Sequence, residues 1–312
     1  MSHTLFIDGA EGTTGLEIRD RLAGRDEFTL IELDERYRRD RDARRNALRS
    51  ADFAILCLPD EAARESVTLA EESDLRIIDA STAHRTDPQW TYGFAELTEG
   101  QRAAIAGADR VANPGCYAVA FIALVRPLVE AGLLAADARL AVHAASGYSG
   151  GGRAMIAEFE QSHPSAFRSY ALGLDHKHLP EMQRHAGLAY PPLFSPAVVD
   201  AYRGMLVEIP LGQEILASGV RLDDLVPAYR EHYATSRGVR VASPEEIDAM
   251  TQLAIEGCAE SDRLDILVFA NQRTGQARLC ARLDNLGKGA AGSAVQNLNL
   301  MAGVDEHRGL RL

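Results

Sequence analysis

Short apolar strands alternate with helical stretches through the first 115 residues, and this alternation constrains the fold more than any other feature. The stretches Thr4–Asp8, Phe53–Leu58 and Arg76–Asp79 have the length and apolar character of strands in a parallel sheet. Helical stretches between them give a β-α-β order with right-handed crossovers. The sequence therefore predicts an α/β fold that begins with a doubly wound, Rossmann-type dinucleotide-binding domain.

A glycine-rich turn follows the first strand. Gly9, Gly12 and Gly15 are spaced G-x-x-G-x-x-G, unlike the usual G-x-G-x-x-G, but the order of strand, turn and helix is that of a dinucleotide site. Glycines let the backbone approach a pyrophosphate, and the hydroxyls of Thr13 and Thr14 can add donors beside the helix N-terminus. A turn with only a structural role is the alternative.

The segment after the second strand gives a divided signal about the cofactor. Asp34 and Glu35 would suit the free 2′-hydroxyl of NAD, whereas Arg36, Arg38 and Arg39 would suit the 2′-phosphate of NADP. The arginines could also form the solvated face of a helix. Both readings stay open at this point.

Cys116 stands at a predicted strand-to-helix junction. Pro114 and Gly115 close the strand Val111–Ala112, and an apolar helix follows from Cys116 to about Ala131. The positive end of a helix dipole favours an anion, so a thiol on the first turn should ionise readily and act as a nucleophile. A small buried residue is the alternative.

Three candidate segments follow strands of the predicted sheet. The first glycine turn, the segment from Ser81 to Arg85, and Cys116 each lie at the carboxyl end of a strand. Ligands of doubly wound sheets bind in the crevice at that edge. We therefore assign Ser81 to the cofactor site together with the glycine turn.

The pattern changes after residue 131 to longer strands with interspersed helices, which predicts an α+β second domain with one sheet. Expected strands are Arg139–Ala145, Leu193–Val199, Arg203–Ile209, Asp265–Ala270 and Gln276–Leu283, with helices at Leu222–Tyr233 and Pro244–Gly257. The glycine-rich segment from Gly287 should pack back on the first domain. The predicted domains are residues 1–115 with 287–312, and residues 116–286.

Two further segments carry chemically useful side chains. Ser146, Gly147 and Arg153 bound a glycine-rich stretch that could hold a phosphate or could be a flexible surface loop. His176 and His178 lie close together, but no third ligand is apparent, and we expect no metal site. One of these histidines fits better as an acid or base that works with Cys116.

Composition excludes several functions. A formal charge of −12 argues against nucleic-acid and membrane-surface partners, which require clustered Lys and Arg. The four cysteines lack CxxC spacing, the first residues do not resemble a signal peptide, and no apolar run approaches the ~20 residues of a membrane span. We expect a reduced, cytoplasmic protein.

Three motifs together carry a family resemblance over nearly the whole chain. The segments Asn113–Tyr117, His176–Glu181 and Asn285–Gly292 resemble, in this order, those of the aspartate-semialdehyde dehydrogenase and N-acetyl-γ-glutamyl-phosphate reductase superfamily. The Gly-Thr-Thr-Gly turn, the stretch from Ser146 to Arg153 and the short length most resemble the short form of the reductases. The resemblance implies reduction of an acyl phosphate by NADPH to an aldehyde, in arginine biosynthesis, by a dimer or tetramer.

The resemblance also implies roles for individual residues. Cys116 matches the nucleophile that forms a thioester, and His178 matches the acid/base. The remaining matches are residues that hold the substrate (Arg85, Tyr170, Ser146, Gly147 and Arg153) and residues of the cofactor turn (Gly9, Gly12, Thr13, Thr14 and Gly15).

Other functions remain open from the sequence. Within the superfamily, an aspartate-semialdehyde dehydrogenase or a reductase of an amino-adipyl substrate would differ in the pocket around Arg85, Tyr170 and Arg153. A nucleotide-binding sensor that lost the chemistry would have no use for both Cys116 and His178. A hydrolase that used the same thioester would turn over without cofactor.

Overall fold

The computed structural model describes residues 2–71 and 73–312, and these form two compact units. The first unit contains the residues up to Ala95, Glu99–Gly115 and Ala290–Leu310, and the second contains Glu96–Thr98, Cys116–Gly289 and Arg311–Leu312. In this division the segment that returns to the first unit begins at Ala290, and Lys288 is buried within the second unit against Glu96.

Thirteen strands and ten α-helices make up the described part of the chain. The strands are β1 (His3–Asp8), β2 (Phe28–Ile31), β3 (Phe53–Leu56), β4 (Arg76–Asp79), β5 (Thr91–Tyr92), β6 (Arg110–Ala112), β7 (Ala141–Gly147), β8 (Phe167–Ser169), β9 (Leu193–Val199), β10 (Met205–Gly212), β11 (Val239–Val241), β12 (Leu264–Asn271) and β13 (Gln276–Leu283). The helices are α1 (Thr13–Leu22), α2 (Arg41–Ser50), α3 (Asp60–Leu69), α4 (Gln101–Gly107), α5 (Cys116–Glu130), α6 (Gly152–Ser162), α7 (Leu179–Ala186), α8 (Leu225–His232), α9 (Pro244–Ala249) and α10 (Gly292–Ala302).

The first unit contains a parallel sheet with strand order β2-β1-β3-β4-β6-β5. The chain passes from β1 to β2 on one side and then crosses to β3 on the other. The strand order therefore reverses beside β1, and the carboxyl ends of β1 and β3 flank the crevice where such sheets bind ligands.

Both faces of this sheet are covered by helices. Leu5, Ile7 and Ile55 pack on one face with residues of α1, α4 and α10, whereas Phe6 and Ala54 pack on the other with residues of α2 and α3. Residues that follow one another in a strand therefore belong to different hydrophobic clusters, one on each face of the sheet. This arrangement confirms the predicted doubly wound α/β fold, and α10 belongs to this unit.

The second unit is built on a seven-stranded mixed sheet with order β11-β12-β13-β10-β7-β9-β8. Helix α5 packs against β10, β12 and β13 and against the helices α7 and α8. On the opposite face, α9 contributes to a small cluster with residues of β10, β12 and β13. The single sheet agrees with the α+β prediction.

Two segments differ from the sequence expectation. The stretch from Ser146 to Arg153 is ordered secondary structure: β7 continues to Gly147, a 3₁₀ turn follows at Tyr148–Gly151, and α6 begins at Gly152. The expected helix Pro244–Gly257 ends at Ala249. Leu253 and Ile255 both pack in the same cluster, and residues two apart share a face in extended chain but not in a helix.

Helix α5 contains a proline, and the backbone hydrogen bond that this proline cannot form is replaced by a side-chain donor. The donors near it are two tyrosine hydroxyls, one in α8 and one in the residue that follows α8. Pro127 has no N–H for the carbonyl of Ala123, four residues earlier. The Tyr233 hydroxyl donates to that carbonyl at 2.9 Å, and the Tyr229 hydroxyl donates to the carbonyl of Leu124 at 2.5 Å. Both tyrosines are buried. The proline is tolerated because a side-chain donor replaces the backbone donor.

Over residues 2–71 and 73–312, none of the helices combines the length and the apolar character that crossing a membrane requires.

We predict that Tyr233→Phe lowers the free energy of unfolding by about 1–3 kcal/mol, because it leaves the buried carbonyl of Ala123 without its donor. Adding Pro127→Ala should recover part of this loss, since position 127 then has an N–H. Urea unfolding of the single and double variants measures both effects. Tyr229→Phe is the matched control, because the Leu124 carbonyl also has a helical donor at Leu128. Equal losses with and without Pro127→Ala would contradict the explanation.

Candidate active site

The glycine turn after β1 lies where the strand order of the first unit reverses. Gly9 has φ 88°, a backbone conformation that favours glycine, and a Cβ there would collide with the carbonyl oxygen of Cys57 after β3. A Cβ at Gly15 would lie 2.6 Å from the carbonyl oxygen of Gly9. The turn is therefore folded tightly onto the carboxyl ends of β1 and β3.

Thr13 carries a polar atom that fits a ligand at this turn. It is the first residue of α1, and its Oγ1 is buried without a hydrogen-bond partner. Buried hydroxyls normally have partners, and the first N–H groups of a helix have no intrahelical acceptor. A phosphate at this position would accept hydrogen bonds from the Thr13 hydroxyl and from these N–H groups. The Thr13 hydroxyl and the first N–H groups of α1 are therefore suited to bind an anion, and the cofactor role of Gly9, Gly12, Thr14 and Gly15 stays a prediction.

The acidic and basic residues after β2 pair with one another. Arg38 Nη2 lies 3.2 Å from Glu11 Oε1 in the glycine turn, and Arg36 Nη2 lies 3.5 Å from Asp34 Oδ2. Arg19 of α1 also contacts Glu11, at 3.2 Å. Of the segment after β2, Arg38 therefore reaches the glycine turn, where it shares Glu11 with Arg19.

Asp79 organises the segment that contains Ser81. The carboxylate of Asp79 is buried and accepts hydrogen bonds from the Ser81 N–H at 2.9 Å and the Ser81 hydroxyl at 2.7 Å. The same carboxylate contacts His84 Nδ1 at 2.7 Å, and the His84 ring stacks on Trp90 with centroids 4.1 Å apart. Ser81 is thus fixed at the carboxyl end of β4 in the first unit.

Arg85 contacts the backbone of the turn that leads to Cys116. Its Nε donates to the carbonyl of Asn113 at 2.9 Å, and its Nη2 donates to the carbonyl of Ala80 at 3.0 Å. The Asn113 N–H in turn donates to the carbonyl of Asp79 at 2.8 Å. Arg85 is buried, and these bonds connect the ends of β4 and β6.

Cys116 is the first residue of the 15-residue helix α5 and of the second unit's main segment. It is partly buried and forms no disulfide. The first N–H groups of α5 lack intrahelical acceptors, and the helix dipole is positive at this end, so the position favours a thiolate or an oxyanion. Gly289 packs directly against this residue, because a Cβ at Gly289 would lie 2.8 Å from Cys116 Cβ.

His178 lies at the beginning of α7, the helix that packs along α5. It is the N-cap residue of α7 and is buried. The ring of Tyr117, the second residue of α5, lies 6.1 Å from the His178 ring and 6.0 Å from the His176 ring. The structure therefore brings both histidines to the N-terminal end of the helix that begins with Cys116.

His176 is held as a neutral imidazole. Its Nδ1 accepts a hydrogen bond from the backbone N–H of His178 at 3.1 Å, so the proton resides on Nε2. Burial, with Lys177 nearby, lowers the pKa of His176 from 6.5 to about 4. His176 is thus unsuited to proton transfer near neutral pH, and its contact fixes the backbone at His178.

Two tyrosine hydroxyls line the same region. Burial, aided by charge on Cys116, raises the pKa of Tyr170 to about 12. Burial and the neighbouring Tyr170 hold the pKa of Tyr117 well above its ordinary value. The Tyr117 hydroxyl donates to the carbonyl of Ala197 at 3.1 Å. Both hydroxyls therefore remain protonated donors at neutral pH.

The predicted glycine loop divides into a buried part and an exposed part. Ser146 is buried at the end of β7, and a Cβ at Gly147 would lie 2.7 Å from the carbonyl oxygen of Tyr202. Arg153 is exposed on α6. The Ser146 hydroxyl donates to the carbonyl of Gly147 at 3.0 Å.

Sequence reasoning did not single out three residues that shape this region. Tyr117 and Gly289 contact the catalytic candidates, and Asn285 links two loops by accepting from the Gly204 N–H at 3.0 Å and donating to Ser149 Oγ at 2.8 Å. All three lie within the motifs that carried the family resemblance. The signal was therefore present as motif membership, but only the fold shows what each residue contacts.

Two family models match the chain. A model described as the semialdehyde dehydrogenase NAD binding domain matches residues 5–107, and one described as the semialdehyde dehydrogenase dimerisation domain matches residues 116–285. The chain is 50% identical over 309 residues to the N-acetyl-gamma-glutamyl-phosphate reductase of Brucella suis, covering 97% of this chain and 100% of the relative. Identity to the Brucella anthropi reductase is also 50%, with 97% and 99% covered.

Solved structures with the same fold are more distant in sequence. Aspartate semialdehyde dehydrogenase II from Vibrio cholerae matches with a TM-score of 0.75 at 17% identity, covering 97% of this chain and 99% of that one. Aspartate semialdehyde dehydrogenase from Francisella tularensis matches with a TM-score of 0.74 at 13% identity, covering 96% and 100%. These similarities establish the fold of both units.

We predict that iodoacetamide alkylates Cys116 before the other thiols. Burial raises the pKa of Cys57 to about 12 and raises that of Cys258 and Cys280, so these thiols remain protonated. Peptide mass spectrometry after brief labelling at pH 7.5 should find the label at Cys116. Cys116→Ser should abolish fast labelling, and Cys258→Ser should leave it unchanged. Comparable labelling of Cys57 would contradict the assignment.

We predict that His176 makes the protein less stable as the pH falls from 6.5 to about 4. Folded His176 has the lowered pKa, so in this window the unfolded chain binds a proton that the folded chain does not, and the free energy of unfolding falls with pH. His176→Asn keeps an acceptor near the Nδ1 position but does not titrate. Urea unfolding at pH 7 and pH 5 should therefore show a smaller decrease in the free energy of unfolding for His176→Asn than for the unchanged chain. An equal decrease in the two proteins would contradict this prediction.

Proposed function

The chain belongs to the semialdehyde dehydrogenase family, as one of its N-acetyl-gamma-glutamyl-phosphate reductases, and we propose how its own residues perform that reaction. The reaction is the NADPH-dependent reductive dephosphorylation of N-acetyl-γ-glutamyl phosphate to N-acetyl-glutamate semialdehyde, a step of arginine biosynthesis. The observation that carries the assignment is the 50% sequence identity to curated reductases over 97% of this chain. The residue roles below rest on the geometry of each unit.

The glycine turn and the segment after β4 would hold NADP. Gly9, Gly12 and Gly15 form the tight turn beside the N-terminus of α1, where we place the pyrophosphate, and the buried Thr13 hydroxyl supplies a donor. Thr14 and Ser81 complete the set of proposed cofactor residues. The cofactor supplies the hydride when bound.

Cys116 forms the covalent intermediate. Its thiolate attacks the γ-carbonyl carbon of the acyl phosphate, and the C–O bond to phosphate breaks as the tetrahedral oxyanion collapses to a thioester. The N–H groups at the beginning of α5 are suited to stabilise that oxyanion. Hydride addition to the thioester carbonyl gives a hemithioacetal oxyanion, which collapses to the aldehyde and the Cys116 thiolate.

His178 handles the proton. It accepts the Cys116 proton before attack, and in its charged form it stabilises the oxyanions that follow. His176 cannot take this role, since its Nδ1 is occupied and its pKa is lowered to about 4. The backbone contact from His176 orients His178 at the N-terminus of α7.

Each unit contains residues that we assign to substrate binding. In the second unit, Tyr170 offers a protonated hydroxyl near Cys116, and Ser146 and Gly147 form the wall at the end of β7. Arg153 and, in the first unit, Arg85 supply positive charge for an anionic substrate in a chain of net charge −12. We assign all five to substrate binding.

We also propose a homo-oligomer, formed through the second unit, in the cytoplasm. The face of the seven-stranded sheet opposite α5 leaves His143, Leu193, Pro210 and Arg278 exposed. The matching family model is described as a dimerisation domain. A second copy of the chain packed on this face would bury the exposed side chains.

The function is tested in the reverse direction with N-acetyl-glutamate semialdehyde, phosphate and NADP, while NADPH absorbance is followed. We expect turnover with this aldehyde and little with aspartate semialdehyde. Cys116→Ser should lower kcat by at least about 10³-fold, and His178→Asn by about 10²–10⁴-fold. Cys258→Ser is the matched cysteine control and should retain activity. Preference for aspartate semialdehyde would overturn the substrate, and a fully active Cys116→Ser would overturn the thioester mechanism.

A further inference from the structure

A buried ion pair in the second unit has no part in the proposed chemical steps. Lys288 Nζ lies 2.8 Å from Glu96 Oε2, and their side chains are 2% and 1% exposed. Glu96 comes from the three-residue segment Glu96–Thr98, which belongs to the second unit although its neighbours on both sides belong to the first. The partner of Lys288 therefore lies in a short segment of the second unit that is flanked in sequence by residues of the first.

The pair is enclosed by the residues that connect α8 to β11. Ser236 Oγ donates to Glu96 Oε1 at 3.4 Å, and His232 Nε2 lies 3.1 Å from the Glu96 carbonyl oxygen. A Cβ at Gly238 would lie 2.8 Å from Glu96 Oε1 and 3.2 Å from Lys288 Nζ. Little room is left for the pair to shift.

Lys288 lies in the turn that packs against Cys116. The turn is the π-helical segment Gly287–Ala291 before α10, and the next residue, Gly289, packs on Cys116. A Cβ at Gly289 would lie 2.8 Å from Cys116 Cβ and 3.3 Å from Cys116 Cα. A lateral shift of the turn would therefore move the first residue of α5 or open a gap beside it.

The buried carboxylate of Asp284 fixes the other end of the turn. It accepts from the N–H groups of Leu286 at 2.8 Å and Gly287 at 3.3 Å, and the Gly289 N–H donates to the Asp284 carbonyl at 3.0 Å. These bonds close the turn but do not reach the Lys288 side chain. The ion pair supplies the second attachment.

We propose that the Glu96–Lys288 ion pair positions Cys116 by holding Gly289 against it, so that both charged residues are positioning residues for the nucleophile. Two buried charges are a costly way to fill space, since apolar residues of similar volume often give equal or greater stability. An ion pair, unlike apolar contacts, is directional. The Glu96–Lys288 pair therefore fixes one point of the turn relative to α8 and β11. A displacement of about 1 Å at a nucleophile can cost about 10²-fold in rate.

The inference rests on the nucleophilic role of Cys116 in the proposed function, and the test has one readout that needs no substrate. The main variant is the double substitution Glu96→Gln with Lys288→Met, which removes both charges and leaves no unpaired buried ion. We compare its thermal unfolding, its kcat and KM, and its rate of iodoacetamide alkylation at Cys116 between pH 6 and 9 with those of the unchanged chain.

The expected result is a double variant that folds, with kcat lowered by about 10²-fold, KM changed less than about threefold, and an altered alkylation profile at Cys116. Asp265→Asn is the control, because that buried carboxylate pairs with Arg240, Arg263 and Arg282 and not with the turn. It should lower stability without changing the alkylation profile. A folded double variant with unchanged kcat and alkylation overturns the proposal.

Gly289→Ala provides an independent test if the double variant does not fold. It leaves the ion pair intact but inserts a methyl group between the turn and Cys116, and it should lower kcat and change alkylation in the same way. Unchanged kcat and alkylation in Gly289→Ala overturn the proposal as well. If the unchanged chain oxidises no N-acetyl-glutamate semialdehyde, the proposed function fails, whereas the alkylation comparison still decides the positioning role.

Discussion

The burial of helix α5 is the constraint on which the second unit depends. Eleven of its fifteen residues are buried, so the helix has no polar face to present to water. A helix of this kind needs cover on all sides, which the seven-stranded sheet, α7 and α8 provide. Because neighbouring elements enclose the helix, its packing also determines the position of its first residue, Cys116.

Buried carboxylates fix the loops in both units. Asp79 accepts from the Ser81 N–H and hydroxyl, and Asp284 accepts from the N–H groups of Glu260, Leu286 and Gly287. A buried carboxylate has several acceptor sites, and leaving them unfilled is costly, so each one draws nearby backbone donors into a single arrangement. The loops after β4 and β13 are therefore held in place by these two carboxylates.

The sequence predicts the strands better than the loops. The bounds of β4, β9 and β13 match the expectation to the residue, because apolar periodicity marks buried strands directly. The helix expected to reach Gly257 ends at Ala249, because Leu253 and Ile255 both pack in the cluster on one face of the sheet. The neutral state of His176 and the Glu96–Lys288 pair depend on contacts between distant segments, which a local pattern does not carry. The motifs name the candidate residues, and only the packing shows what each of them contacts.

Helix α10 has a consequence for the order in which the molecule can be completed during synthesis. Val295, Leu298 and Met301 fill the core of the first unit together with residues of β1 and α1, more than two hundred residues earlier. The ribosome makes residues 116–289, the main segment of the second unit, before α10 emerges. The first unit therefore keeps one side of its sheet incompletely covered until that segment has been made. Both units are completed only when the last residues of the chain emerge, because Arg311–Leu312 belong to the second unit.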